Sequence, residues 1–72
     1  MTRKELEHAA RDMGATGPDH GINWTWMNDF PTEEAANQWH KMITDEGYET
    51  RGVYPPQRND SGESWGWSIR YR

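Results

Sequence analysis

The supply of side chains suited to burial is what most limits this chain: one Leu, three Ile and one Val stand beside five Trp and three Tyr. The sequence has 72 residues, and a domain of that size buries only roughly 60% of its unfolded surface. There is no Cys, so neither a disulfide nor a thiolate metal site can supplement a small core. Large aromatic rings are the substitute, since each can bury about 150–250 Å². One small domain over residues 1–72, built largely on Trp, is the expectation.

Local signals divide the chain into elements. Thr2 and Glu5 have capping-box spacing, in which hydroxyl and carboxylate each satisfy a backbone N–H that the first helical turn leaves unpaired. Leu6, Ala9, Ala10 and Met13 follow at helical spacing, and Gly14 suits the left-handed residue beyond a helix end. Ala15 to Gly21, with Gly17-Pro18-Asp19 inside it, reads as a loop. Ile22 to Met27 alternates large apolar with small polar residues and predicts a strand, with Ile22, Trp24 and Trp26 on one face. Thr32 caps a second helix, and Glu33 and Glu34 lie in its first turn, where the dipole favours them. Ala35, Ala36, Trp39, Met42 and Ile43 form its buried stripe, and Gly47 stops it. Tyr48 to Tyr54 is a second strand, stopped by Pro55-Pro56 because neither residue can donate to a ladder. Gln57 to Glu63 is a polar loop. Trp65 to Arg72 gives the clearest alternation, with Trp65, Trp67, Ile69 and Tyr71 facing one way and Gly66, Ser68, Arg70 and Arg72 the other.

The order α-β-α-β-β predicts an α+β fold: a three-stranded, antiparallel-type sheet in spatial order 1-3-2, with both helices packed on the Trp face. Such a sheet is half of a ferredoxin-like one. The stretch Phe30-Pro31-Thr32-Glu33-Glu34-Ala35-Ala36 through Gly47-Tyr48 resembles the equivalent unit of several ferredoxin-like families, among them the SPOR peptidoglycan-binding domains and the RraB-type ribonuclease E inhibitors. The resemblance covers about a quarter of the chain and implies a fold element with no site attached to it.

Catalytic chemistry finds no support in the sequence. No nucleotide loop, zinc-protease helix or nucleophile elbow occurs, and no thiol is present. The adjacent acids Glu33-Glu34 and Asp45-Glu46 sit at helix ends, where dipole and solvation account for them. His8, His20 and His40 fall on separate elements with no i,i+4 pair, so neither a metal site nor a cofactor is predicted. No run near 18 apolar residues exists and the start runs straight into charges, so a cytoplasmic protein without membrane contact is expected. The formal charge of −4 disfavours indiscriminate nucleic-acid binding. Residues 48–72 are nevertheless slightly basic, with four Arg against three acids.

Five indoles exceed what two short helices can cover, so some rings should stay partly exposed, and Trp beside Arg is typical of interface hot spots. Trp26 and Trp65, near strand ends, are the candidates. The face away from the helices is expected to present Asn23, Thr25, Arg51, Ser68, Arg70 and Arg72, with no aromatic residue unless Tyr48 or Tyr54 turns outward. The expected function is a non-enzymatic protein-interaction module, an inhibitor or adaptor that occludes a site on a larger cytoplasmic protein through Arg51, Arg70, Arg72, Trp26 and Trp65. A viral or mobile-element source suits small acidic proteins of this kind, although no residue carries that inference. The alternative is a single-stranded nucleic-acid binder that uses the Arg-bearing sheet face. Weak homodimerisation through the unprotected Ile22–Met27 edge is also expected.

Overall fold

Local hydrogen bonding starts both helices. The structure, a computed structural model, describes residues 1–58 and 64–72, with backbone alone at Ser64 and Trp65. Helix α1 (Arg3–Asp12) opens on the capping box: the Thr2 hydroxyl accepts from the Glu5 N–H at 3.2 Å, and the Glu5 carboxylate accepts from the Thr2 N–H at 2.9 Å. Helix α2 (Glu33–Asp45) opens on Thr32, whose hydroxyl accepts from the Ala35 N–H at 3.1 Å. The strands are β1 (Thr16–His20), β2 (Thr25–Phe30), β3 (Thr50–Tyr54), β4 (Gln57–Arg58), β5 (Ser64–Trp65) and β6 (Trp67–Tyr71).

The fold is α+β, with two helices and a four-stranded antiparallel sheet in the order β1-β2-β6-β3. Strands β4 and β5 form a separate two-stranded ribbon. The expected count of three strands is thereby corrected to four: the predicted strands stand as β2-β6-β3, and β1 adds beside β2 in a hairpin that a half ferredoxin-like description does not account for. Gly17, Pro18 and Asp19 are turn formers and predict a loop where the structure has strand β1. At a sheet edge, however, Pro is tolerated and no apolar residue is required. The first predicted strand also moves: Ile22 and Asn23 belong to the turn between β1 and β2, closed by the Gly21 N–H on the Trp24 carbonyl at 2.8 Å. Because β1 covers β2, the Ile22–Met27 edge invoked for a homodimer is not free. The actual edges carry Pro18 and Asp19 on one side and a left-handed Gly52 on the other, features that discourage strand addition.

Register decides the faces. Met27 pairs with Ile69 and Thr25 with Tyr71 on the side the helices cover, which sends Trp26 and its partner Arg70 to the other side. The pairing then slips between Met27 and Phe30, where Asp29 takes a left-handed φ of 62°, and this irregularity returns Phe30 to the core. The Asp29 carboxylate accepts from the Thr16 hydroxyl at 2.7 Å and from the Gly66 N–H at 3.0 Å. Gly66 has no alternative: a Cβ there would stand 2.6 Å from the Phe30 carbonyl oxygen.

The core joins Leu6 and Ala10 of α1, Ala36, Trp39 and Ile43 of α2, and Met27, Phe30, Ile69 and Tyr71 of the sheet. A core of many indoles is corrected. Among the described residues only Trp39 is a fully buried Trp, wedged between Phe30 and Tyr71 at centroid distances of 5.7 and 5.1 Å, its N–H donating to the Leu6 carbonyl at 2.7 Å. Trp67 only packs against the core's margin. A polar clamp ties α1 to the sheet: the Tyr71 hydroxyl donates to buried Glu7 at 2.6 Å, and Arg3 bridges Glu7 and the Thr25 hydroxyl at 3.2 and 2.9 Å. Burial first, then donation to the Glu7 carboxylate, push the Tyr71 phenol above its ordinary value of 10.0.

Tyr71→Phe removes a donor from a buried carboxylate and should cost about 1–3 kcal/mol. For a chain of this size each kcal/mol lowers the thermal midpoint by roughly 4–8 °C, so a melting curve reads it directly. The wild type should also lose stability as pH rises above about 10, because Tyr71 ionises there only in the unfolded chain. Tyr71→Phe should flatten that slope, and an unchanged slope would contradict the clamp. Gly66→Ala should lower the midpoint by roughly 10 °C or more, since the Phe30 carbonyl or the β5–β6 connection must shift.

Candidate functional site

Both helices lie over one face of the sheet and leave the other open. On the open face three guanidinium groups converge on one indole. The carbon centres of Arg72, Arg70 and Arg51 lie 4.2, 5.2 and 5.4 Å from the Trp24 ring centroid. A ring face attracts each cation, while the cations repel one another. Backbone pairing sets the arrangement, as Glu49 and Arg72 exchange both of their N–H···O bonds at 2.9 Å and so align the start of β3 with the end of β6. Among the described residues only Arg72 of the three has a carboxylate partner. Its Nε and Nη2 donate to Glu49 at 2.9 and 3.5 Å, and this bond holds the exposed Glu49 carboxyl below its usual range.

Arg70 lies deeper than the other two. Besides Trp24, the Trp26 and Tyr54 rings stand 5.7 and 5.5 Å from its guanidinium carbon, and its Nε is buried with no acceptor among the described residues. An unmatched buried donor costs about 1–3 kcal/mol, only partly offset by the aromatic faces. Trp26 and Tyr54 lean together at 5.5 Å, above small Ser68, which is only 2% exposed. Beside them opens a cleft of about 650 Å³ whose other walls include Thr16, Asp19, Asn28 and Asp29. The Asn28 amide donates to Asp19 at 2.7 Å. Acceptors of β1 and β2 therefore face the Arg70 donors of β6 across an aromatic floor.

The predicted residues divide among three locations. Arg51, Arg70 and Arg72, separated in sequence, meet around Trp24. Trp26, the second residue of β2, lies near the strand end as expected and is half-buried on the open face against Tyr54 and Arg70. Trp65 belongs to β5, outside the main sheet, and its side chain lies outside the described residues. Thr25 is corrected to the helix side, where its hydroxyl accepts from Arg3, and Asn23 to the turn. The expectation of an open face without Trp is overturned by Trp24 and Trp26, while Tyr54 takes the outward turn that the expectation allowed. A usable signal existed in β6. Its Ser68 is too small to fill the space beside Arg70, and large rings from both neighbouring strands occupy it.

Among the described residues no group of three His, Asp or Glu side chains is placed to hold a metal ion, and no helix is long and apolar enough to cross a membrane. In comparisons with known proteins, no family, no curated protein and no solved structure matches the chain.

Proposed function

We propose that this protein is a small non-enzymatic binding module, an inhibitor or adaptor whose open sheet face docks onto a larger cytoplasmic protein. One observation carries this reading: three aromatic rings and three guanidinium groups share a solvent-facing surface that neither helix covers. Trp, Tyr and Arg are the residues that dominate interface energetics. Their assembly here serves the fold poorly, since the buried Arg70 Nε has no acceptor among the described residues and like charges crowd Trp24. Such local disagreement with stability is typical of surfaces kept for a partner.

A second reading is favoured by the outward placement of Trp24, Trp26 and Tyr54, since sheets that bind single-stranded nucleic acid stack bases on exposed rings. Two features rank it second. Arg70 and Arg72 already lie against the Trp24 ring, and Asp19 and Asp29 stand on the same open side, where a polyanionic strand would be repelled.

The test separates surface from fold. Arg70 is enclosed by rings and its removal would disturb packing, so the informative variant is Arg51→Ala with Arg72→Ala, both at exposed positions. Its melting midpoint should stay close to wild type, as exposed substitutions usually fall within about ±0.5 kcal/mol. Affinity for a partner recovered by affinity purification should drop roughly thirtyfold, the consequence of losing about 2 kcal/mol at an interface anchor. Full retention of that partner by the folded variant would refute docking through this face. Tight oligonucleotide binding that weakens steeply with salt and is lost in the same variant would establish the second reading instead.

A further inference from the structure

We propose that the guanidinium cluster around Trp24 is a receptor for a carboxylate of the docked protein, with Glu49 occupying one of its three positions from within the chain; this rests on the protein-docking reading above. Three like charges gathered within 5.4 Å of one ring centroid are relieved by an anion, and the planar fork of Arg matches a planar carboxylate. Arg51 and Arg70 have no such partner among the described residues.

Glu49 shows the chemistry the cluster accepts, because both of its oxygens face Arg72, at 2.9 and 3.5 Å. That pair is exposed on both sides and therefore readily exchanged for an incoming group. Glu49 is thus a resident competitor. The rest of the face favours a protein carboxylate over a phosphodiester strand. A strand carries a charge on every nucleotide, and one running from Trp24 past Trp26 would approach Asp19 and Asp29 at the cleft. A protein segment places a single carboxylate at Trp24 and follows it with neutral or apolar groups, which suit the Trp26–Tyr54 floor.

Titration of the full-length ¹⁵N-labelled protein with sodium glutarate, at ionic strength matched by sodium chloride, tests the receptor directly. The Arg51 and Arg72 Nε–H signals and the Trp24 indole N–H should shift to saturation while Arg11, remote on α1, stays in place. Glu49→Gln should raise glutarate affinity about threefold by removing the competitor. Arg51→Ala should lower it roughly tenfold. Tetraglutamate should bind more tightly than a ten-residue oligothymidylate. Shifts that never saturate, that appear equally at Arg11, or that ignore both substitutions would overturn the receptor; tighter oligothymidylate binding would reassign it to phosphate. The two readings fail separately. If the Arg51→Ala, Arg72→Ala variant loses its protein partner while glutarate does not bind wild type, the carboxylate is wrong and the docking face stands. If glutarate binds as expected and the variant keeps its partner, the receptor stands and the docking face is wrong.

Discussion

The register of β2 on β6 is the constraint from which the rest of the structure follows. With Met27 opposite Ile69 and Trp26 opposite Arg70, every side chain of the two central strands is committed to the helices or to the open face. A slip of one residue would exchange the two sets. What holds the register is packing on the helix side. Trp39 already fills the centre between Phe30 and Tyr71, and two further indoles beneath α1 and α2 would overfill a core whose helices otherwise contribute Leu6, Ala10, Ala36 and Ile43. Asp29 completes the arrangement, since its left-handed backbone returns Phe30 to the inside while its carboxylate joins β1 to the entry of β6.

The rings excluded from the core become the distinctive surface of the protein. Trp24, Trp26 and Tyr54 are not left bare: Arg70 and Arg72 lie against them, and small Ser68 gives them room to meet over β6. The two faces of one sheet therefore serve different ends. The inner face is matched in its polar contacts, with Tyr71, Glu7, Arg3 and Thr25 linked by hydrogen bonds of 2.6 to 3.2 Å. The outer face holds crowded cations and an Arg70 Nε without an acceptor among the described residues, which a bound partner would be able to satisfy.

Charge on the outer face is ordered along the strands. The guanidinium groups gather where β2 begins and β6 ends, whereas Asp19 and Asp29 line the cleft farther along. A net charge of −4 conceals this pattern, because total charge bears on solubility and nonspecific association whereas a specific partner meets the local arrangement. Glu49 adds to the order by holding Arg72 in a fork geometry close to Trp24.

What the sequence determined by itself was whatever depends on neighbours within a few residues. Thr2 with Glu5 and Thr32 with Ala35 start the helices, Gly47 stands left-handed just past the second, and the alternation of Trp67 to Tyr71 carries through to β6. These signals are hydrogen bonds and periodicities closed inside one element. Three features needed the tertiary structure. Strand β1 has no apolar pattern and exists because β2 offers it a ladder. The outward turn of Trp24 and Trp26 depends on which face of an alternating strand its partner takes, and alternation looks the same from either side. The meeting of Arg51, Arg70 and Arg72 around one ring depends on the Glu49–Arg72 backbone pair, formed across 23 residues of sequence. Side chains that local patterning leaves equivalent are distinguished only when the strands pair and the limited volume beneath the helices admits some of them and excludes the others.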